Sequence, residues 1–172
     1  MANGLKSEIV ALRMSREAVD FVRTFYPDGR LDWVEVFSSA QREREFGAWV
    51  NTLAHPEYRM VWVTQDDEGH LTPSSAGLAA HLGALRSMMS DFERYEFTPE
   101  LLIDLDDDRV LVLERLRMRR AGDDRETETM PATLYELVDG KLRTAAFYRQ
   151  RSDALAAVGL TEEEARRQGT PA

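Results

Sequence analysis

The sequence predicts an α+β domain in which a curved, mostly antiparallel sheet wraps around N-terminal helices and forms a conical barrel. Helical patterns occupy most of the first half of the 172-residue chain, and four strand-like runs follow one another in the second half. Strands that are gathered after helices favour an α+β architecture over alternating α/β units. The concave face of such a sheet is the floor of a central cavity, in which we expect a small ligand to bind.

Two helical segments and one strand are predicted before the middle of the chain. Apolar residues recur every three or four positions across Ile9–Tyr26, and Pro27–Gly29 has the composition of a turn that ends this helix. A second helical stretch is predicted over Leu31–Leu53, in which the charged run Gln41–Glu45 is either a break or one solvated turn. Tyr58–Gln65 is rich in β-branched and aromatic residues, which is typical of a strand.

The third helix has the clearest pattern in the sequence. A polar loop precedes it, and Ser74 or Ser75 is positioned to cap its first turn. Its apolar residues form one stripe at helical spacing, which indicates a face that packs on the core. The stripe consists of Leu78, Leu82, Leu85, Met89 and Phe92.

The second half of the chain has the pattern of an antiparallel meander followed by two short helices. Turns rich in aspartate and glycine separate the strands, and Thr161 with Glu164 forms the capping box of the last helix. We therefore divide the chain into one α+β domain, 1–160, and a short helical tail, 161–172. The predicted strands are Phe97–Leu105, Arg109–Arg120, Glu126–Val138 and Lys141–Gln150.

Charge and composition exclude several classes of partner and chemistry. The 31 acidic and 22 basic residues give a net charge of −9, which repels phosphate backbones and anionic lipids, so we expect no nucleic-acid and no membrane partner. The chain has no cysteine, which removes disulfides, thiolate nucleophiles and cysteine metal sites. Since neither a signal peptide nor a bilayer-spanning apolar run is visible, the sequence predicts a cytoplasmic protein.

Several motifs occur in an order that resembles one known family. They include Phe25-Tyr26, Val61–Val63, Glu100–Asp104 and Leu137–Leu142. This order is similar to that of the SnoaL-like family, within the nuclear transport factor 2-like (cystatin-like) superfamily. The resemblance implies a conical α+β fold that often dimerises through the outer face of the sheet. Members include polyketide cyclases, ketosteroid isomerases, epoxide hydrolases and many proteins of no known activity, so the fold alone does not define the function.

The catalytic groups of ketosteroid isomerases match this chain only in part. The resemblance puts their carboxyl donor at Thr133 and their catalytic base at Val63 or Thr64. Their helical tyrosine falls near Val22, one turn before Tyr26. The groups that this isomerisation needs are therefore incomplete.

Epoxide hydrolases of the limonene type resemble the chain at Glu114-Arg115, but they have an aspartate where Arg117 stands. Their second aspartate matches Phe147 or its immediate neighbourhood. The resemblance thus leaves it undecided whether the protein is an enzyme, and it implies no cofactor.

Glu114 is the main candidate for a catalytic group. Its side of the strand is otherwise apolar, whereas arginines occupy the other side. If these arginines pair across the hairpin, Arg117 with Glu128 and Arg119 with Glu126, then Glu114 points into the cone. A carboxylate in an apolar cavity has a raised pKa and suits general acid–base catalysis.

Two alternatives stay open at this position. A slip of one residue in the register puts Arg115 inside the cone instead. Alternatively, Glu114 forms an ion pair with an arginine of the same domain, or it contacts a partner in a dimer.

Tyr135 and Thr133 are predicted to supply a hydroxyl donor and acceptor near Glu114, with Tyr135 polarising a carbonyl oxygen. An ordinary half-buried pair on a strand is the alternative. Trp62 is predicted to line an apolar pocket, although core packing explains an aromatic side chain there equally well.

Phe147 or Tyr148 is predicted to face the same cavity, depending on the length of the Asp139-Gly140 loop. We favour Phe147, with Gly140 in a left-handed bulge. Arg149 then lies on the same side near the mouth of the cone, as an anchor for an anionic group of a ligand.

Histidines and acidic residues show no metal-site pattern. His55, His70 and His81 lack metal-ligand spacing, and we expect each to be exposed to solvent. The acidic run 104–108 lacks the glycine and the glutamate of a calcium loop and has the composition of a hairpin turn. We therefore expect neither a metal ion nor a cofactor.

Three functions are consistent with these observations. The first is binding of a small apolar, ring-containing or polyketide-like molecule in the central pocket. The second is a cofactor-independent isomerase, cyclase or hydrolase that uses Glu114 for acid–base chemistry. The third is a non-catalytic interaction domain whose cavity is filled by its own side chains. In each case we expect a homodimer, with Leu111, Leu113 and Leu134 as contacts on the outer face of the sheet.

Overall fold

A computed structural model of the protein describes residues 18–63, 72–106 and 108–172, with the backbone alone described for 72–76. Several of the predicted features lie outside these residues and stay predictions: the first part of the N-terminal helix, Thr64, the loop that precedes the third helix, and His70.

Six helices are present in the described part of the chain. The predicted stretch 31–53 is interrupted before Ser39, whose hydroxyl accepts a hydrogen bond from the Arg42 amide (3.2 Å) and caps a new helix. The helices are α1 (18–23), α2 (Trp33–Val36), α3 (Ala40–Leu53), α4 (Leu78–Met89), α5 (Arg151–Ala157) and α6 (Glu162–Gln168), with a 3-10 turn at Pro27–Gly29.

The strands form a single sheet in the order β1-β4-β5-β7-β8-β2-β3, with β6 on β5 and β9 on β4. All described pairs are antiparallel except β2 with β8. The strands are β1 (Leu31–Asp32), β2 (Ala54–Val63), β3 (Thr72–Ala76), β4 (Phe92–Asp106), β5 (Arg109–Arg120), β6 (Thr127–Thr129), β7 (Ala132–Val138), β8 (Lys141–Tyr148) and β9 (Thr170–Pro171).

The start of the third helix differs from the prediction. Ser74 and Ser75 lie in β3, which pairs with β2, and do not cap α4. Gly77 precedes the helix instead, with a φ of 87° that favours glycine and with no side-chain cap. A serine just before an apolar helical pattern is typical of an N-cap, but here the segment first pairs with β2 as the edge strand of the sheet, which the local pattern does not show.

The two faces of the sheet carry separate apolar clusters. On the concave face, side chains of the strands pack against α1 and α4, for example Val112 with Val22 and Met89. On the opposite face, Leu111 and Leu113 belong to a cluster with residues of α5 and α6: Ala154, Leu155 and Ala165. Alternation of side chains along β5 assigns successive residues to these two clusters.

This arrangement is inconsistent with Leu111 and Leu113 as dimer contacts, whereas the dimer itself stays a prediction. Leu111 and Leu113 are buried, and Leu134 is half-buried in the same cluster. The C-terminal helices of the same chain therefore cover the leucines that we predicted to meet a partner copy. The pattern of a strand shows which residues share a face, but it does not show which later segment returns to cover that face.

Candidate functional site

Glu114 lies in β5 on the concave face, among the residues of the apolar core, and is only 2% exposed. Its orientation follows from the strand register, in which Arg117 is paired with Glu128 and forms an ion pair with it (3.2 Å). The other predicted pair is wrong: Arg119 contacts Glu93 (3.2 Å) on β4, on the other side of β5, where the pattern of a single hairpin gives no information.

Two hydroxyl groups donate hydrogen bonds to the Glu114 carboxylate. Tyr26 Oη donates to Oε1 (2.5 Å), and Thr133 Oγ1 donates to Oε2 (2.7 Å). Burial raises the pKa of Glu114 to about 7, against the opposing effects of these two hydrogen bonds and of the charge of Arg151. The carboxyl is therefore able to hold or release a proton near neutral pH.

Tyr26 extends this network to a second phenol. Its hydroxyl lies 3.0 Å from the hydroxyl of Tyr135, and the Tyr135 ring stacks on Phe25 with the ring centroids 5.6 Å apart. Burial, and then the charge of Glu114, raises the pKa of both phenols above the ordinary value. The groups therefore form one chain in the order Thr133, Glu114, Tyr26, Tyr135, and both phenols keep their protons.

Arg115 and Arg151 lie outside this network. Arg115 is on the opposite side of β5 and binds Glu100 (2.5 Å). Arg151 donates to Glu100 (2.9 Å) and to the backbone oxygen of Glu114 (2.8 Å). Within the described ranges, no cation lies at ion-pair distance from the Glu114 carboxylate, so the hydroxyl groups are what hold it.

Two small cavities lie inside the cone. One measures about 60 Å³, and Trp62, Thr133 and Phe147 are among the residues that line it. The other measures about 80 Å³, and Tyr135 lines it. The residues common to both are Trp33, Met60 and His81.

The remaining predicted site residues separate into two groups. Phe147 faces the cone, where its ring contacts that of Trp62 (centroids 4.9 Å apart), whereas Tyr148 belongs to the cluster on the outer face. Arg149 is exposed and lines neither cavity, although its charge acts to lower the pKa of Tyr95, which lines the smaller one.

His81 is buried, contrary to the prediction that it is exposed. It is 8% exposed on α4, and its Nδ1 lies 2.8 Å from the hydroxyl of Tyr58. Burial lowers its pKa to about 4. Position 81 lies beside the apolar stripe of α4, and the sequence does not show that Trp33 and Tyr58 widen the buried face to include it.

Three solved structures have a similar overall fold. One from Jannaschia sp. CCS1, described as a SnoaL-like polyketide cyclase, has a TM-score of 0.58, with 14% sequence identity over 85% of this chain and 94% of that chain. A phenazine biosynthesis-related protein from Pseudomonas aeruginosa has a TM-score of 0.58, with 14% identity over 87% of this chain and 90% of that chain. An epoxide hydrolase of the limonene epoxide hydrolase-like class from M. tuberculosis has a TM-score of 0.50, with 13% identity over 83% and 85%.

The chain has the SnoaL-like, nuclear transport factor 2-like fold. No family model matches the sequence, and no curated protein matches it significantly. At these levels of identity the similarity concerns the fold, which is the one that the order of motifs predicted. It transfers no catalytic residue to this chain.

Within this SnoaL-like fold, Tyr26 is the site residue that the sequence reasoning missed. It occupies an apolar-periodic position at the end of the first helical pattern, and this periodicity alone does not distinguish a residue of the site from one that packs on the core. The available signal was its place one turn beyond the position that matches a catalytic tyrosine of ketosteroid isomerases.

The residues that the structure describes contain neither a cluster of metal-ligating side chains nor a bilayer-spanning helix. In 18–63, 72–106 and 108–172, no three His, Asp or Glu side chains are placed to hold a metal ion together. The same ranges contain no helix with the length and apolar character needed to span a bilayer.

Proposed function

We propose that the protein binds a small, ring-containing molecule inside the cone and holds an oxygen atom of that molecule against Thr133 and Tyr135. The observation that carries this proposal is that both side chains line interior cavities and both are linked to the buried carboxyl of Glu114. Solved structures of the same fold that are described as a polyketide cyclase and an epoxide hydrolase support a small organic molecule as the ligand class.

The size of the interior limits the ligand to about one ring. The cavities of about 60 and 80 Å³ are each smaller than the roughly 150 Å³ that holds a benzene molecule. Because Met60 lines both, a rotation of its flexible side chain is the simplest way to join them. A ligand therefore enters by displacing Met60, and its apolar ring replaces contacts that the methionine makes.

The protonation state of Glu114 sets the direction of the hydrogen bonds that meet the ligand. When Glu114 is ionised, Tyr26 and Thr133 donate to it and Tyr135 donates to Tyr26. The hydroxyl oxygens at the cavities then present lone pairs, which suit a hydroxyl group of the ligand. When Glu114 is protonated it donates to Tyr26, Tyr26 donates to Tyr135, and the Tyr135 hydroxyl is able to donate to a carbonyl oxygen.

The same series of hydrogen-bonded groups supports acid–base catalysis as a second candidate function. A specific observation favours it: the pKa of Glu114 is raised to about 7, where a general acid is most effective at physiological pH. A proton moves from Tyr135 to the ligand oxygen, is replaced from Tyr26, and is finally supplied by Glu114. The O–H bonds that break and form along this chain are equal in number, and the carboxyl becomes a carboxylate.

Thermal-shift measurements with cyclohexanone, phenol and cyclohexene oxide test the binding proposal. A probe at 100 times its Kd stabilises the fold by ~2.7 kcal/mol, which raises the Tm by roughly 5–10 °C in a domain of this length. We expect Thr133→Val to reduce the shift, because it removes one hydroxyl at nearly constant volume. Arg117→Gln, a change on the side of β5 opposite to Glu114, is the matched control and keeps the full shift.

The absence of a shift for all three probes contradicts the proposal. It favours the alternative of an interaction domain whose interior is filled by its own side chains. A shift that Thr133→Val and Arg117→Gln leave equally unchanged contradicts the proposed position of the ligand oxygen.

A further inference from the structure

A second polar pair faces the interior of the cone and has no part in the network around Glu114. Tyr58 on β2 and His81 on α4 are both buried, with the phenol hydroxyl 2.8 Å from Nδ1 of the imidazole. Their rings are nearly parallel, at 23°, with the centroids 5.8 Å apart. A buried polar pair in an apolar interior is costly unless its hydrogen bonds are satisfied.

His81 is the only titratable side chain, among the described residues, that lines both cavities. Thr133 lines the smaller cavity and Tyr135 lines the larger one. Whichever cavity a ligand enters, it therefore lies between a hydroxyl of β7 in the sheet and the imidazole of α4 in the helix layer. A molecule that fills both cavities meets all three groups.

The hydrogen bond with Tyr58 determines which imidazole nitrogen of His81 carries the hydrogen that a ligand can accept. Burial holds the imidazole neutral, with a pKa of about 4, and keeps the phenol of Tyr58 protonated by raising its pKa. Among the described residues the Tyr58 hydroxyl has no other acceptor, so we assign it as the donor to Nδ1, and the neutral ring then carries its hydrogen on Nε2. Among the described residues Nε2 has no hydrogen-bond partner, so this N–H remains as a donor at the cavity wall.

We propose that His81 is a second ligand contact, whose Nε2–H donates to an oxygen at the end of the ligand remote from Thr133 and Tyr135. This inference rests on the proposed function and makes it narrower. The ligand is then a ring that carries oxygen groups at two opposite positions, rather than a ring with a single polar end. Tyr58 is a positioning residue in this proposal, because it acts on the ligand only through the imidazole.

Calorimetric titrations with phenol and with 1,4-dihydroxybenzene, the latter kept reduced under nitrogen, test the inference. The two probes differ only in the second hydroxyl group. We expect the wild type to bind the dihydroxy probe roughly 3- to 10-fold more tightly, which corresponds to one additional hydrogen bond. In His81→Phe, which keeps an aromatic ring but has no donor, the affinity ratio of the two probes falls to about 1.

Two further variants keep the test decisive if His81→Phe does not fold. Tyr58→Phe retains the ring and removes the group that fixes the tautomer, so the ratio falls at least 2-fold. Thr133→Val is the matched control at the other end of the ligand. It weakens the binding of both probes by the same factor and leaves their affinity ratio unchanged. A fall in the ratio in the other two variants therefore reports the loss of the contact at His81 and not a general weakening of ligand binding.

Each remaining outcome overturns the inference in a distinguishable way. Equal binding of the two probes by the wild type, or an unchanged ratio in His81→Phe, overturns the role of His81 but leaves the proposed function intact. If neither probe binds the wild type, the proposed function fails and the role of His81 fails with it.

Discussion

Replacing Glu114 by glutamine makes the stability of the protein less dependent on pH. Folding raises the pKa of this carboxyl from 4.5 to about 7, so the folded state holds the proton more tightly than the unfolded state. The group therefore destabilises the folded state progressively as the pH rises from 4.5 to 7, and below 4.5 this penalty is absent. At ~1.4 kcal/mol per pKa unit, the penalty at pH 8 is roughly 3 kcal/mol.

Urea unfolding of the wild type and of Glu114→Gln, at intervals from pH 4.5 to 8, measures this penalty directly. Glutamine has nearly the same shape and no charge at any pH, so the difference between the two free energies of unfolding isolates the carboxyl. We expect the difference to change by roughly 3 kcal/mol in favour of the variant between these two pH values.

An exposed glutamate supplies the matched control. Glu128 lies on the surface and pairs with Arg117, and exposed pairs of this kind contribute less than about 1 kcal/mol. Glu128→Gln is therefore expected to follow the wild type closely. A difference between the wild type and Glu114→Gln that stays constant across the whole range would refute the reasoning, because the carboxyl would then titrate equally in both states.

Three further changes have defined outcomes. Tyr26→Phe removes a hydrogen bond that lowers the pKa of the Glu114 carboxyl. We therefore expect the titration midpoint of this carboxyl, followed by its infrared carbonyl band, to shift to higher pH. A shift to lower pH contradicts the network. Gly169→Ala puts a methyl group into the Leu101 side chain and destabilises the fold by about 1–3 kcal/mol in urea. Gly83→Ala, in open space on α4, is its control and is neutral or stabilising by roughly 0.5–1 kcal/mol. Met60→Ala joins the two cavities and strengthens phenol binding in calorimetry, whereas weaker binding contradicts the proposed route into the interior.

Local patterns were sufficient to predict most of the sheet and the side of it that Glu114 occupies. The alternation along β5 and the pairing of Arg117 with Glu128 are properties of one strand and its nearest hairpin. Such pairings depend on a side-chain period of two, which is visible in any strand. The same reasoning favoured Phe147 over Tyr148 for the concave face, and the structure has Phe147 there.

The features of the site that could not be predicted depend on contacts between distant segments. Tyr26 and Glu114 are brought together by the position of α1 against β5, and His81 is buried because Trp33 and Tyr58 close around it. The C-terminal helices cover Leu111 through contacts within the chain. Periodicity identifies an apolar face, but it contains no information about the element that packs on that face.

The central claim is that the interior binds a ring whose oxygen meets hydroxyls controlled by Glu114. Other ionisable groups near the site keep one form across the neutral range: burial holds His81 neutral, with a pKa of about 4, and burial raises the pKa of Tyr26, Tyr95 and Tyr135.

Calorimetric titration of cyclohexanone into the wild type and Glu114→Gln, at pH 6 and pH 8.5, tests this claim most directly. A carbonyl oxygen that is held against Tyr135 needs the donating form of this phenol and hence the protonated carboxyl, so we expect the wild-type affinity to fall by up to roughly 30-fold at the higher pH, and by less where the imidazole of His81 donates to the same oxygen. The variant, which does not titrate, keeps the same affinity at both. Wild-type binding that is absent, or that is equal at the two pH values, would contradict the role of Glu114.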